Sequence, residues 1–215
     1  MEIKICRLTP DLAEDYIHFF DITPHDDNEA GNKCYCACWS NDDYAGKDFS
    51  IEENRRKYAL QYVKGNNIQG YLAYYGRNIV GWCNANTKSD CQKCISWQRF
   101  MSYVPLEEPD SDIRIKSIFC FVIAPEMKRQ GIATRLLEHV CKDAAQDGFE
   151  FVEAYPYKES SYQSSDFGGH FEMYKKAGFH VLLDTQQGLV MRKQLCRVKG
   201  NTEETANECS GHACV

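Results

Sequence analysis

The chain has 215 residues, 43% of them hydrophobic, which fills one sizeable core and is short for two, so a single domain is expected. With 25 basic against 31 acidic residues, the formal net charge of -6 argues against a phosphate-backbone partner such as nucleic acid. The start, Met1-Glu2-Ile3-Lys4-Ile5-Cys6-Arg7, interleaves charge with apolar residues unlike a secretory signal, and no segment has the length of a membrane span; a cytoplasmic location is expected, with the 12 cysteines as thiols, metal ligands or redox groups before disulfides.

Residues 3–8 read as a short strand. Thr9-Pro10-Asp11 then offers a capping hydroxyl and a first-turn proline ahead of Leu12, Tyr16, Phe19 and Phe20 at helical spacing. Residues 21–46, rich in Asp, Asn, Gly and Cys, read as a loop. Ser50 and Glu53 have the spacing of a capping box for a second helix that runs to about Val63 and closes at Gly65-Asn66-Asn67. The β-prone runs 70–75 and 79–85 flank Gly76-Arg77-Asn78 as a hairpin. Residues 88–112, containing Pro105 and Pro109, lack a clear period and are expected to form an insertion over a surface or site.

The continuous apolar run Ile118-Phe119-Cys120-Phe121-Val122-Ile123 has the length and composition of a central strand buried on both faces, ended by Pro125. Ile132, Leu136, Leu137, Val140, Cys141 and Ala144 then recur at helical period, predicting an amphipathic helix that stops near Gly148. Residues 151–155 return as a strand, and a serine-rich polar loop over 158–166 leads to a short helix over 171–177, with Gly178 suited to a left-handed cap. Residues 179–183 and 189–192 finish as a strand pair, and the tail 196–215 has little to bury.

The junction 123–134, where a buried strand turns into a long helix, is a ready anion trap. The first amides of a helix lack internal acceptors and its dipole adds about half a positive charge there, which suits a pyrophosphate. Gly131 and the small Ala133 leave room for close approach to the backbone, while Lys128 and Arg129 add positive charge. This stretch, Lys128-Arg129-Gln130-Gly131-Ile132-Ala133, resembles the coenzyme A motif of the GNAT acetyltransferase superfamily, with Pro125-Glu126 before it and Leu136-Leu137 after it also matching. Lys128 stands where that family usually has Gln or Arg, which keeps a charge and loses a planar donor.

A second stretch, Tyr174-Lys175-Lys176-Ala177-Gly178-Phe179, is similar to the family's tyrosine-bearing helix followed by Gly-Phe and a strand. Between the two, Phe167-Gly168-Gly169-His170 departs from the family's usual Asn, and the glycines are expected either to offer N–H donors at the helix start or to act as a hinge. The resemblance spans the element order from about Ile3 to Met191 and implies an α/β (α+β) fold, a mixed and mostly antiparallel sheet flanked by helices on both faces. It implies acetyl-coenzyme A as co-substrate, bound by Lys128, Arg129, Gln130, Gly131, Ile132, Ala133 and Thr134, with no metal. It further implies that the strand 119–123 splays from the strand 151–155, so that main-chain groups of Phe121, Val122 and Ile123 pair with the pantetheine arm.

In that reading an acetyl group passes directly to the primary amine of a small molecule, and Tyr174 serves the departing thiolate. Glu153, Asp166 and His170 are candidate bases, of which Glu153 is taken with Tyr174 as the catalytic pair. A monomer or homodimer is expected, with no nucleic acid or membrane partner. The rival reading is a non-catalytic acyl-coenzyme A-binding protein, or a cysteine-based metal or redox sensor on the same fold.

The cysteines carry that rival. Cys34, Cys36 and Cys38 alternate, which on an extended segment points all three to one side, and Cys91 and Cys94 form a C-x-x-C pair. One zinc-like pair is half of the usual requirement, so thiols that pack or line an acceptor pocket, with Trp39 and Trp97 as its walls, are the expectation. Cys209, His212 and Cys214 form a weaker pattern. The Cys-Tyr-Cys loop followed by Trp resembles a cysteine-rich bacterial branch of the same superfamily.

Overall fold

The computed structural model describes residues 2–23, 33–105, 112–156 and 167–196. The N-terminal strand β1 (Lys4–Arg7) leads through a 3-10 turn (Pro10–Leu12) into α1 (Ala13–Ile22), and α2 (Glu52–Lys64) follows. The hairpin β2 (Gly70–Tyr75) and β3 (Asn78–Thr87) comes next, then α3 (Lys88–Cys91), α4 (Ile95–Phe100) and the long strand β4 (Ile115–Ile123). Helix α5 (Ile132–Gln146), β5 (Phe151–Ala154), α6 (Phe171–Lys176), β6 (His180–Asp184) and β7 (Leu189–Gln194) complete the described elements. The seven described strands form one sheet in the order β1-β2-β3-β4-β5-β7-β6, antiparallel throughout except for the β4–β5 pair.

Both faces of β4 are covered, and a bulge at Phe119, opposite the Asn84–Ala85 step of β3, puts Ile118 and Phe121 on the same face. These two pack with Leu136, Leu137 and Val140 of α5, whereas Val122 packs with Trp82, Tyr16 and Phe20 against α1 and α2. With both faces covered, neither set of alternating positions tolerates polarity. Fully burying each such side chain contributes about 1.5–3 kcal/mol, so the layers on either side of β4 help to fix the sheet.

Three local expectations are corrected. Thr9 makes no capping bond and α1 is entered through the 3-10 turn. The capping box at Ser50 and Glu53 does not form: Ile51 is the N-cap residue of α2, and the Ser50 hydroxyl donates to Asp48 Oδ1 at 2.6 Å. The hydroxyl that would accept from a helix amide as a cap instead donates to a carboxylate two residues away in the same loop, a charge-assisted bond. The insertion 88–112 holds two short helices, α3 and α4, whose Cys91, Cys94 and Trp97 pack with Tyr155 and Val190 in a third apolar cluster. Helices of 4 and 6 residues are too short to show a period in sequence.

Candidate active site

β4 and β5 pair in parallel only as far as Ile118 opposite Ala154, although β4 runs on to Ile123. Among the described residues, the splay leaves one edge of β4 without a strand partner beyond Ile118. The Ala124 N–H donates to Val80 O at 3.0 Å on the β3 side, so by alternation the main-chain groups of Phe121 and Ile123 turn to the open side. Val122 borders the same cleft, but its main chain faces Trp82 of β3, which corrects the expectation that it offers a main-chain group alongside Phe121 and Ile123. The Phe121 N–H is engaged by Phe167 O at 2.7 Å.

A cleft of about 380 Å³ lies along this edge and reaches the start of α5. The chain enters it through a 3-10 turn (Pro125–Met127), and two left-handed residues, Arg129 at φ 62 and Gly131 at φ 78, then redirect the backbone into the helix. Gly131 is the N-cap residue, and a Cβ added there meets nothing within 4 Å. The positive φ, not crowding by the protein, is therefore what calls for glycine, and the space beside it belongs to the cleft. From Lys128 to Thr134 every residue except Gln130 borders the cleft. Gln130 is corrected: its Nε2 donates to Glu126 O at 3.0 Å, so its side chain braces the turn instead of facing a ligand. First-turn amides without helical acceptors, the dipole of a 15-residue helix, and exposed Lys128 and Arg129 converge there.

Tyr174 on α6 does not line the cleft but lies behind Gly169, which does. It is fully buried, its hydroxyl donates to Gly168 O at 2.7 Å, and burial drives its phenol well above the ordinary tyrosine range. The two glycines exist to let the chain pass: a Cβ on Gly168 comes within 2.6 Å of Tyr155 O, and Gly169, at φ 83, lies beside the Tyr174 ring and hydroxyl. They precede the N-cap residue His170, so the expectation of helix-start donors gives way to one of close backbone approach. His170 itself is exposed and borders the cleft, while Asp166 lies outside the described residues.

Glu153 is also corrected. Its carboxylate is fully buried between Arg192 Nε at 2.8 Å and Lys88 Nζ at 3.0 Å, and accepts from the Tyr155 hydroxyl at 3.1 Å. The same phenol meets Ser117 Oγ at 2.8 Å. A carboxylate saturated by two cations and a phenol, opposite Ser117 in the paired part of the sheet, is an anchor for α3 and β7, not a base for an incoming amine. Lys88 and Arg192, both missed in the sequence, come from segments 104 residues apart, so only the folded chain brings them to one carboxylate.

The acetyltransferase (GNAT) family matches the chain over residues 32–179. The chain belongs to this GNAT family. Acyl transfer is therefore its general chemistry. Its fold is that of solved relatives: the PaiA N-acetyltransferase of Thermoplasma acidophilum, solved in complex with coenzyme A, is 16% identical with a TM-score of 0.51, covering 90% of this chain and 99% of that one. The polyamine N-acetyltransferase of Drosophila melanogaster, which forms N-acetylagmatine, is 11% identical with a TM-score of 0.51, covering 90% and 100%. No curated protein matches in sequence. These comparisons do not bear out a cysteine-rich bacterial branch.

On the other face of β4 the GNAT chain gathers aromatic rings and thiols. Trp39 and Trp97 sit 5.2 Å and 5.4 Å from Phe119, the first β4 residue beyond the β5 pairing. Cys91 and Cys94 are buried in the third cluster, where burial pushes the Cys94 thiol up to about 11, and among the described residues no group of three His, Cys, Asp or Glu side chains is placed to hold a metal. Residues 34–38 do not form an extended segment: Tyr35 and Cys36 are left-handed, so the chain turns there and brings the Cys36 N–H to Cys34 Sγ at 3.5 Å. Cys209, His212 and Cys214 lie outside the described residues, and no described helix is long and apolar enough to cross a membrane.

Proposed function

We propose that this GNAT chain transfers an acetyl group from acetyl-coenzyme A directly to the primary amine of a small molecule. The observation that carries the reading is the cleft joining the open edge of β4 to the N-terminus of α5. Its donor set fits a diphosphate: first-turn amides, Lys128 and Arg129, with open space at Gly131 where a side chain is absent. The fold shared with a coenzyme A complex and with a polyamine acetyltransferase supports the same assignment.

When bound, acetyl-coenzyme A supplies a thioester. In this reading the α5 amides and Lys128 hold the diphosphate, and the Ile123 main chain pairs with the pantetheine amides. The Phe121 N–H polarises the acyl carbonyl once it exchanges Phe167 O for it, and the Tyr174 hydroxyl serves the departing thiolate once it exchanges Gly168 O. His170, at the cleft, takes the proton of the amine directly or through water, in place of Glu153.

The test has two arms. Acetyl-coenzyme A at millimolar concentration is expected to raise the melting temperature, since a ligand at about 100 times its Kd stabilises by about 2.7 kcal/mol. A panel of small amines, read by mass spectrometry, is expected to yield a product heavier by one acetyl group, with intersecting initial-rate lines that mark direct transfer. No thermal shift would refute the cleft as the coenzyme site; a shift without acetylation of any amine would favour the non-catalytic reading.

A further inference from the structure

We infer that Cys36 and Cys120 form a redox-active thiol pair that closes to a disulfide when a small peroxide reaches it. The two sulfurs lie 3.6 Å apart although the residues are 84 positions apart in sequence. Closing that gap to a bond of about 2.05 Å requires a shift of about 1.5 Å, within reach of side-chain rotation and a small loop movement.

The pocket around Cys36 is built to hold a charged sulfur. Trp82 Nε1 donates to Cys36 Sγ at 3.4 Å. Asn84, fully buried and opposite Cys120 in the β3–β4 register, has neither amide atom in a conventional hydrogen bond, yet lies close enough to favour negative charge on Cys36. A buried amide left open costs about 1–3 kcal/mol in a plain core, and beside a thiolate it has a partner. The backbone is held to the purpose as well. Tyr35 and Cys36 adopt consecutive left-handed conformations, at φ 48 and φ 49, a strain of about 1 kcal/mol or more per residue. Tyr16 secures the turn by donating its hydroxyl to Tyr35 O at 2.8 Å, and the Cys36 N–H points to Cys34 Sγ at 3.5 Å.

Charge divides the pair. Hydrogen bonding from Cys120, then from Cys34, holds the Cys36 thiol well below its ordinary range, while the same bond raises Cys120. A thiolate beside a protonated thiol is the arrangement that an attacking and a resolving cysteine require. Burial instead raises the thiols of Cys83 and Cys91. Cys36 is 1% exposed, and Cys34 and Cys120 are half-buried, so the oxidant must be small.

The chemistry balances with hydrogen peroxide. The Cys36 thiolate attacks one peroxide oxygen, the O–O bond breaks, and hydroxide leaves as the sulfenic acid forms. The Cys120 sulfur then attacks Cys36, a sulfur–sulfur bond forms, and the sulfenic oxygen leaves as water with the thiol proton. Both sulfurs are oxidised by one electron each, and the peroxide is reduced to one water and one hydroxide, which takes a proton from solvent to become the second water. The bond ties the 3-10 turn Ala37–Ser40, which carries Trp39, to β4 directly before Phe121.

The test exposes the reduced full chain to one equivalent of hydrogen peroxide, alkylates it, and maps peptides without reduction. The expected product links the Cys36 and Cys120 peptides with a loss of about 2 Da, and forms at least about tenfold faster than oxidation of the exposed Cys196. Cys34→Ser, which keeps a hydroxyl able to donate to Cys36, is expected to leave the link intact, and Cys120→Ser to leave a Cys36 sulfenic acid that dimedone captures. A link from Cys34 to either partner, or oxidation of Cys196 while Cys36 and Cys120 are still alkylated, overturns the assignment. Should Cys120→Ser fail to fold, the maps of the unaltered chain and of Cys34→Ser decide by themselves.

Discussion

Replacing Glu153 by Gln separates an anchoring carboxylate from a catalytic one. The carboxylate is fully buried and sits between Lys88, 2% exposed, and Arg192, 15% exposed. The substitution keeps the shape and removes the charge from between the two cations. Breaking a buried pair from one side costs about 3–5 kcal/mol, because the remaining charge keeps its desolvation penalty. For a chain of this size each kcal/mol lowers the melting temperature by about 2–4 °C, so a fall of roughly 6–20 °C is expected. Lys88→Met in the Glu153→Gln background is expected to return part of the loss, with a coupling of about 1–3 kcal/mol in the double-mutant cycle. Urea unfolding of the four proteins measures the stability, and acetyl transfer assayed well below the melting temperature measures the chemistry. An unchanged urea midpoint together with a hundredfold fall in kcat would refute the anchoring role and restore Glu153 as a base.

Three further outcomes are expected. Gly131→Ala places a methyl-bearing residue at φ 78, which costs about 1–2 kcal/mol of stability, and it weakens coenzyme A binding by about tenfold in calorimetry because the methyl projects into the cleft; unchanged affinity would remove that turn from the binding site. Tyr174→Phe leaves the Gly168 carbonyl without its 2.7 Å donor and is expected to cost about 1–3 kcal/mol in urea unfolding. An unchanged kcat in the same variant takes the phenol out of the chemistry. Burial pushes the Cys141 thiol from 9.0 up to about 11, so its contribution to stability is complete below pH 9 and is lost as the pH rises to 11, because the unfolded chain ionises first. Unfolding under reducing conditions is expected to show a loss of up to about 2 kcal/mol over that window that Cys141→Ala diminishes, and an equal slope in both proteins would contradict it.

The elements with the strongest periodicity were legible. The α5 positions Ile132, Leu136, Leu137, Val140, Cys141 and Ala144 are all buried as their spacing requires, and the β4 run is covered on both faces. Local signals failed where a competing partner lay a few residues away: Ser50 turned to Asp48, and Gln130 to Glu126. The insertion was read as irregular because α3 and α4 are each shorter than two helical turns, and burial of Trp97, not propensity, stabilises them.

The turn from β4 into α5 was fixed by the amino-acid order alone, because a left-handed glycine, two cations and a helix start are consecutive in the chain and need no distant partner. The state of the groups around that turn was decided by the tertiary structure. Whether Glu153 meets Lys88 and Arg192, whether Tyr174 meets Gly168, and whether Cys36 meets Cys120 depends on strands and loops far apart in sequence arriving at one point. Burial and hydrogen bonding, which set the charge and reach of each group, exist only once they have arrived.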